Sequence, residues 1–324
     1  MSVAKLIRAI VIAMLASALV YAVMIFVSDG SAVARALAGF SPRVTIAMLV
    51  LSLGGYAIRS IRWGWLMRLI GYPVSTKDAV YLHMSGQTMS VSPGRVGEIL
   101  KPWLAREVAG MPLPSGIALV FAERVADLIA VSLLALAGLS ALGTGVWGLL
   151  IGLGVVVAGV LVASSGWFHR IALGVVEKHS WAKKYESSAQ AVSHTIRTAL
   201  NWRIIAVSTV LSVTSWGLEG VAFWLCVREL GFTSHGPLAC VSVFAIATIA
   251  GAFTFLPGGI GVTEASMAGI LVALGMPAAG ASAATLVTRV ITLWWGVLLG
   301  WITLATRPAL LRRLLAISAE ETPG

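Results

Sequence analysis

Two stretches decide the fold of this chain: Ser92-Pro93-Gly94-Arg95-Val96-Gly97-Glu98 and Leu256-Pro257-Gly258-Gly259-Ile260-Gly261-Val262-Thr263-Glu264. Proline and glycine end or kink helices, so each stretch interrupts the hydrophobic segment around it. Each ends on a glutamate, and the second follows the first by 164 residues in a chain of 324. We expect them to be the tips of two helical hairpins. The predicted tip residues are Pro93, Gly94 and Gly97 in the first hairpin and Pro257, Gly258, Gly259 and Gly261 in the second.

The composition predicts an all-α integral membrane protein. Hydrophobic residues make up 58% of the chain and charged residues only 11%, against about 25% charged residues in a typical soluble domain. The net charge of +10 is typical of cytoplasmic flanks, and it also favours contact with anionic lipid head groups. The basic residues are scattered around hydrophobic segments, so we expect no nucleic-acid partner. No pattern indicates a metal site or another cofactor.

Hydrophobic segments of about 20 residues predict six transmembrane helices. The first follows Lys5 and Arg8 but is longer than the apolar part of a signal peptide, so we interpret it as a retained span. The predicted spans are 6–27, 44–67, 114–142, 146–167, 204–227 and 279–305.

The segments on either side of each Pro-Gly stretch are too short or too polar to cross a membrane. The arms are 78–92 and 96–108 around the first tip, and 238–255 and 262–274 around the second. We therefore predict two re-entrant helical hairpins, at about 78–108 and 238–274. The segment 168–203 mixes lysines and glutamates with apolar residues, which favours a cytoplasmic interfacial connector.

Basic residues assign the two sides of the membrane. We expect the N-terminus, 59–77, 101–106, the connector and the C-terminal tail on the cytoplasmic side. In this assignment Arg59 and Arg62 belong to a basic cluster at the cytoplasmic end of the second span. The loops 28–43, 143–145, 229–237 and 275–279 would lie outside. The sides alternate only if both Pro-Gly segments are re-entrant, which predicts an inner-membrane protein with both termini in the cytoplasm.

The chain contains a weak internal repeat. Residues 51–71 and 211–231 align at a constant shift of 160, and Arg124 and Arg289 are separated by 165. A span, a hairpin and an arginine-bearing span recur in that order within one polytopic membrane domain, 1–324. We define unit one as 44–142 and unit two as 204–305. The predicted orientations are opposite, a plan that transporters use to place substrate between two halves.

Several charged residues fall inside predicted spans. Arg124 and Arg289 lie about 15 Å from the ends of their spans, where an unpaired arginine costs at least about 2.5–3.5 kcal/mol. Glu123 and Asp127 share one helix face. Two interpretations stay open: structural ion pairs that lock hairpins to spans, or a polar midplane cavity that binds a phosphate through arginine. The candidate substrate-binding residues are Arg95, Glu98, Lys101, Glu123, Arg124, Asp127, Glu264 and Arg289.

These motifs resemble the lysylphosphatidylglycerol synthase transmembrane-region, or flippase-like, family. The resemblance rests on Pro93-Gly94-Arg95-x-Gly97-Glu98, Glu123-Arg124-x-x-Asp127, Pro257-Gly258-Gly259-x-Gly261-x-x-Glu264 and Arg289, and extends over about 10–305. It implies an inner-membrane protein that moves anionic or polyprenyl-linked lipids between leaflets. Members that make lysylphosphatidylglycerol carry a further soluble aminoacyl-transfer domain. This chain ends at Gly324, so we expect that activity to be absent.

We therefore expect a lipid translocase that works without ATP and is not an enzyme. Its expected partners are membrane lipids, and a homo-oligomer is compatible with the sequence. Two alternatives stay open: a secondary transporter or channel for a small anion, and a non-transporting accessory protein of a lipid-modifying pathway. The second alternative would act through the 168–203 connector. The lipid, the direction of transport and any ion or proton coupling are not specified by the sequence.

Overall fold

The computed structural model describes residues 14, 15, 18–27, 29–92, 98–142, 150, 154, 186–254 and 256–313, and the regular structure within these ranges is helical. The helices are short where proline and glycine interrupt the chain and long where apolar residues run without a break. They are α1 Ala18–Val27, α2 Gly30–Ala38, α3 Pro42–Leu69, α4 Thr76–Gln87, α5 Leu100–Ala109, α6 Leu113–Leu142, α7 Glu186–Ala199, α8 Trp202–Glu229, α9 Pro237–Phe253, α10 Val262–Ala273, α11 Ala278–Arg289 and α12 Trp295–Ala305.

Three helical segments in the described ranges are long and apolar enough to cross a membrane. They are Pro42–Leu69, Trp202–Glu229 and Ala278–Ala305, each of 28 residues, and the last joins α11 to α12. A fourth is present if α1 and α2, which meet at a bend of 105°, are counted as one broken span. These segments establish a multi-pass membrane protein, while the count of six spans stays a prediction.

The N-terminal region differs from the prediction of an outside loop at 28–43. Residues Gly30–Ala38 form α2, and the Asp29 side chain caps its start by accepting from the backbone N–H groups of Ser31 and Ala32. An acidic N-cap satisfies the free donors of a helix start. The buried Val33 packs beside Ala283 and Leu286 of α11, so this segment is part of the folded core.

The central helix pair is α3 and α8, which lie against each other along their length. Gly55 allows the close approach, because a methyl group there would come within 3.2 Å of the Ser215 carbonyl oxygen. The Ser215 hydroxyl donates to the Gly55 carbonyl at 3.3 Å. A small residue therefore lets two membrane-length helices meet at backbone distance, as in many membrane helix pairs.

Two hydrophobic clusters lie toward opposite ends of α3. One contains Trp63 with Leu82, Leu104 and other side chains of α4–α7. The other contains Met48 with Phe223 and other side chains of α8–α11. Polar and charged side chains occupy the part of α3 between these clusters, and they form the region described below.

The two Pro-Gly stretches separate packed helices. The first separates α4 from α5 and the second separates α9 from α10, and the helices of each pair contact one another. At the second stretch Gly258, Gly259 and Gly261 have φ values of 59°, 68° and 91°. Residues other than glycine rarely adopt such positive φ values. The helices α9 and α10 lie within two residues of the predicted arms 238–255 and 262–274, whereas α4 ends at Gln87 and α5 begins at Leu100, inside the predicted arms 78–92 and 96–108. The re-entrant placement of both segments stays a prediction.

A π-helical segment, Val290–Trp294, follows Arg289 and joins α11 to α12. The wider turn changes the backbone hydrogen bonding, and two carbonyls on this segment accept from α3. The Ser52 hydroxyl donates to Ile291 at 3.1 Å and the Tyr56 hydroxyl donates to Thr292 at 3.0 Å. Such π-bulges are frequent at functional sites, and this one fixes α3 beside Arg289.

The expected cytoplasmic cluster at the end of span two is wrong for two of its arginines. Arg59 and Arg62 are only 7% and 1% exposed, because α3 continues to Leu69 and carries both residues into the interior. Lys101, which was used to assign the 101–106 segment to the cytoplasm, is also buried. These three residues balance buried acids, so they do not mark a side of the membrane.

The predicted fourth span and most of the connector lie outside the described residues. Within the connector, α7 places Ile196 and Ala199 in the cluster around Trp63 and leaves His194 exposed. This helix therefore has one face packed against the protein, chiefly against α6, and one polar face.

Candidate functional site

Two adjoining cavities lie among the helices that surround the second Pro-Gly stretch. The larger, of about 490 Å³, is lined mainly by apolar side chains of α6 and α9, including Phe121, Leu128 and Ile249. The smaller, of about 90 Å³, is polar and is lined by Arg59, Arg124, Arg289 and neighbouring side chains. We call them the apolar cavity and the polar chamber. Both are lined by Glu98, Arg124, Asp127, Trp216, Thr248, Gly251, Ala252 and Gly259.

The apolar cavity reaches the outside of the protein. Ile117 and Phe121 of α6 and Phe253 at the end of α9 line it, and all three side chains are exposed. Below them Gly138 brings α6 against α9, because a methyl group there would meet the Leu238 carbonyl oxygen at 2.4 Å. The two helices are thus held together at one end and separated at the level of the cavity.

Glu123 and Asp127 on α6 share a face and converge on Arg62 of α3. Arg62 Nη1 donates to Asp127 Oδ1 at 2.8 Å, and Nη2 lies 3.4 Å from Glu123 Oε1. Ser212 of α8 donates to Asp127 Oδ1 at 2.9 Å. Lys101 Nζ donates to Glu123 Oε2. Arg62, Lys101 and the Ser212 hydroxyl therefore hold these two carboxylates, which are 0% and 5% exposed. Arg124 also contacts Asp127.

Lys101 connects the first Pro-Gly segment to this cluster. Its ammonium lies 3.7 Å from the centre of the Trp63 ring and 3.5 Å from His83 Nδ1. An ammonium can only donate, so His83 Nδ1 accepts, and the proton of the neutral ring is on Nε2. His83 lines the polar chamber, and its Nε2 has no hydrogen-bond partner in the described structure.

Arg289 fastens the second Pro-Gly tip to α11. Its Nε donates to Glu264 Oε1 at 2.6 Å, and its Nη2 donates to the Gly258 carbonyl at 2.6 Å. Glu264 Oε2 in turn accepts from the Gly261 backbone N–H at 2.7 Å. This carboxylate caps the start of α10 and pairs with an arginine. The positive φ values of the glycines and this ion pair therefore both fix the conformation of the second Pro-Gly tip.

Arg59 of α3 and Glu219 of α8 form a third buried pair, with 2.9 Å between Nη2 and Oε1. Neither of these atoms is in hydrogen-bonding geometry, and Arg59 Nε also lacks an acceptor among the described residues. The guanidinium lies 4.2 Å from the centre of the Trp216 ring, a cation–π contact. The two charged groups of this pair are close together, but they are not oriented for a hydrogen bond.

Arg124 occupies the junction of the two cavities. Its Nε lies 3.4 Å from Glu98 Oε2 and its Nη2 lies 3.3 Å from Asp127 Oδ2. The side chain is 34% exposed, and Nε makes no hydrogen bond among the described atoms. Arg59 and Arg124 therefore both face the polar chamber with donor capacity left. By contrast, Arg62 donates to Asp127 at 2.8 Å and Arg289 donates to Glu264 at 2.6 Å.

The structure brings most of the candidate residues together. Glu98 contacts Arg124 and Glu264 contacts Arg289, an arrangement compatible with both open interpretations of these charges. Lys101 and Glu123 lie behind the chamber, and Asp127 lies on its wall. Arg95, with Pro93, Gly94 and Gly97, lies outside the described residues.

The sequence reasoning did not select Arg59, Arg62, Glu219 and His83 for the site. The constant shift of 160 relates Arg59 to Glu219, and this was a usable signal. Arg62 and His83 carried no comparable pattern, because an arginine near a span end and a lone histidine have many structural roles.

Similar proteins support a membrane role. Residues 10–300 match the family described as lysylphosphatidylglycerol synthase TM region. Two proteins of Methanothermobacter thermautotrophicus, each described as a UPF0104 membrane protein, are similar to this chain. One is 28% identical over 275 residues, covering 79% of this chain and 81% of the relative. The other is 24% identical over 314 residues, covering 87% and 89%.

A shorter match is to glycosyltransferase AglD of Haloferax volcanii. It is 30% identical over 140 residues, which is 41% of this chain and 22% of that protein. The family match covers most of the chain, including both Pro-Gly stretches and all the buried charges described above. This chain is therefore a member of the lysylphosphatidylglycerol synthase transmembrane-region family, a multi-pass membrane protein connected with lipid metabolism or transport.

Proposed function

We propose that the protein is a lipid translocase that moves anionic, polyprenyl-linked or glycolipid-type lipids between leaflets without ATP. The observation that carries the proposal is the junction of the two cavities at Arg124. In this arrangement the phosphate of a lipid lies in the polar chamber near Arg59 and Arg124. Part of its hydrocarbon chain lies in the apolar cavity.

The apolar cavity favours a lipid over a small soluble anion. Its volume of about 490 Å³ lies within the range of about 300–1,000 Å³ that is usual for small-molecule sites. Each methylene that enters such a cavity from water contributes about 0.8 kcal/mol. A soluble anion gains nothing from this space, and it needs no opening between the exposed side chains of Ile117 and Phe253.

An inverted repeat would supply the motion. Arg59 contacts Glu219 and Gly55 contacts Ser215, and both pairs are related by the shift of 160 that aligns units one and two. Contacts between equivalent positions arise where a two-fold axis passes between two units. We propose that the units rock about this α3–α8 contact, as in other inverted-repeat transporters.

The proposed topology follows the sequence. It has six spans, two re-entrant segments and both termini in the cytoplasm, in the inner membrane. The exposed arginines of the C-terminal region, Arg312 and Arg313, fit a cytoplasmic position. Cysteine labelling tests it: a probe on an exposed residue of 102–109 reacts from the cytoplasm, and a probe at 275–279 reacts from outside.

Transport is tested in proteoliposomes that contain fluorescent phosphatidylglycerol. Arg124→Ala removes the cation at the junction, so we expect lipid movement to fall at least about tenfold while the protein stays folded. Arg35→Ala, on the exposed surface of α2, is the matched control and retains wild-type movement. Normal lipid movement by folded Arg124→Ala protein would remove the site from the mechanism.

A further inference from the structure

We propose that Glu219 takes up one proton when a phosphodiester anion binds Arg59 in the polar chamber. This inference rests on the proposed function and deepens it, because it makes the bound species an anion together with a proton. The proton comes from solvent and forms an O–H bond on the Glu219 carboxylate. No other bond is made or broken.

The first argument is charge balance. Among the described residues, the buried and half-buried ion pairs around the chamber contain five cationic and five acidic side chains, and their formal charges sum to zero. The cations are Arg59, Arg62, Lys101, Arg124 and Arg289, and the acids are Glu98, Glu123, Asp127, Glu219 and Glu264. A phosphodiester adds one negative charge to a poorly solvated region. Burial strongly disfavours such an unbalanced charge, and uptake of one proton removes it.

The second argument is the quality of the pairs. Asp127 accepts from Arg62 and Ser212, and Glu264 accepts from Arg289 and the Gly261 backbone. Among the described residues, Glu219 has one ion pair, with Arg59, and the Nη2 and Oε1 atoms that form it are not in hydrogen-bonding geometry. A phosphate that engages the guanidinium displaces Glu219 more readily than it displaces the other acids.

The third argument is the surroundings of Glu219. Tyr56 and Arg59 face it from α3, Asp127 and Arg124 from α6, and Arg289 from α11. Two other helices contact α8: α9 carries no acidic or basic residue, and the His194 and Arg197 side chains of α7 are exposed. Once an anion neutralises Arg59, the nearby Asp127 and the anion itself both disfavour a second carboxylate charge, and Glu219 is protonated.

His83 is a poorer acceptor for this proton. Its unprotonated nitrogen Nδ1 lies 3.5 Å from the Lys101 ammonium, so a proton added there would place two cations in contact. When the His83 ring stays neutral, Nδ1 accepts the hydrogen bond from Lys101. Glu219 is therefore the carboxylate that loses its paired cation, Arg59, when the phosphodiester binds, and it is the expected site of the proton.

Isothermal titration calorimetry in neutral detergent tests the inference. Dioctanoyl phosphatidylglycerol is titrated into the full-length protein in two buffers of different ionisation enthalpy, between pH 5.5 and 8. We expect about one proton taken up per lipid bound. By linkage, the Kd then rises about tenfold per pH unit over the range of uptake. This wild-type measurement does not depend on any variant folding.

Variants locate the proton. Glu219→Gln is expected to bind the lipid with no proton uptake and with a Kd that is independent of pH. Glu229→Gln, an exposed glutamate at the end of the same helix, keeps the wild-type uptake. His83→Gln also keeps it. Loss of uptake in His83→Gln with retention in Glu219→Gln places the proton on the histidine and overturns the inference.

The outcomes separate this inference from the proposed function. Lipid binding without proton uptake at any pH overturns the inference and leaves the lipid site standing. Inorganic phosphate, titrated in parallel, distinguishes a head group from a free anion. Binding of phosphate with a proton uptake that Glu219→Gln abolishes, and with no binding of the lipid, supports Glu219 and contradicts the lipid translocase. Absence of binding by both anions overturns both.

Discussion

Arg59 and Glu219 form a buried ion pair, with 2.9 Å between Nη2 and Oε1, at positions separated by the repeat shift of 160. The pair joins α3 to α8 at the wall of the polar chamber. Each charge is buried in the interior, so each depends on the other. This dependence makes the pair a structural element as well as a candidate anion site.

Removing one member of the pair should destabilise the protein strongly. We expect Arg59→Leu to lower the free energy of unfolding by about 3–5 kcal/mol, because Glu219 is left as an uncompensated buried charge. The double variant Arg59→Leu/Glu219→Leu should recover most of this loss. The measurement is the thermal unfolding midpoint in detergent. Arg43→Leu, exposed on the same helix, should change the midpoint little, and a double variant as unstable as the sum of the single variants would contradict the prediction.

Filling the apolar cavity should impair lipid movement and spare anion binding. Leu128→Trp places an indole ring, which is larger than the leucine side chain, among the side chains that line the cavity. We expect transport of fluorescent phosphatidylglycerol to fall at least about tenfold, while inorganic phosphate still binds in calorimetry. Leu133→Trp, on an exposed part of the same helix, is the control. Equal transport by the two variants would show that lipid takes another path.

The contact between Asp78 and Arg307 should respond to acid. The Ser75 hydroxyl, which donates to Asp78 at 2.6 Å, and the Arg307 guanidinium hold the pKa of Asp78 below its ordinary value of 3.8. A lowered pKa stabilises the folded protein above pH about 4, and this stabilisation is lost as pH falls through the lowered pKa.

The variant Asp78→Asn tests this predicted pH dependence of stability. Both partners are partly exposed, so we expect a loss of about 1 kcal/mol or less at pH 7. The difference between variant and wild type should be smaller at pH 3 than at pH 7, because the stabilisation shrinks as pH falls below the ordinary value of 3.8 toward the lowered pKa. Thermal unfolding at the two pH values measures it. A difference that is the same at both would mean that Asp78 acts through packing alone.

Helix positions could be predicted from the sequence because they depend on local signals. Apolar length placed 204–227 within the observed Trp202–Glu229, and 279–305 matches Ala278–Ala305 to one residue. Proline and glycine marked the break between α9 and α10, where three glycines have positive φ. The π turn at Val290–Trp294 carried no such signal, since its sequence is an ordinary apolar run.

The partners of the buried charges depend on tertiary packing, and the sequence predicted them only in part. The sequence placed Glu98, Glu264, Arg124 and Arg289 in one candidate set without assigning the pairs. Arg59 was assigned to the membrane edge because a basic residue near a predicted span end is usually solvated. It lies ten residues before the end of α3, about 15 Å along the helix axis. Only the neighbouring helix α8, which carries Glu219, makes that position favourable.

Among the described residues, the ion pairs around the polar chamber contain equal numbers of cations and acids, and this has an electrical consequence. A transmembrane potential acts on net charge and contributes about 2.3 kcal/mol for each elementary charge that crosses 100 mV. A network without net charge can move between the two faces of a cell membrane without work against that voltage. If Glu219 adds a proton for each anion carried, the loaded carrier is electrically silent as well. The voltage of an energised cell would then neither drive nor resist the crossing.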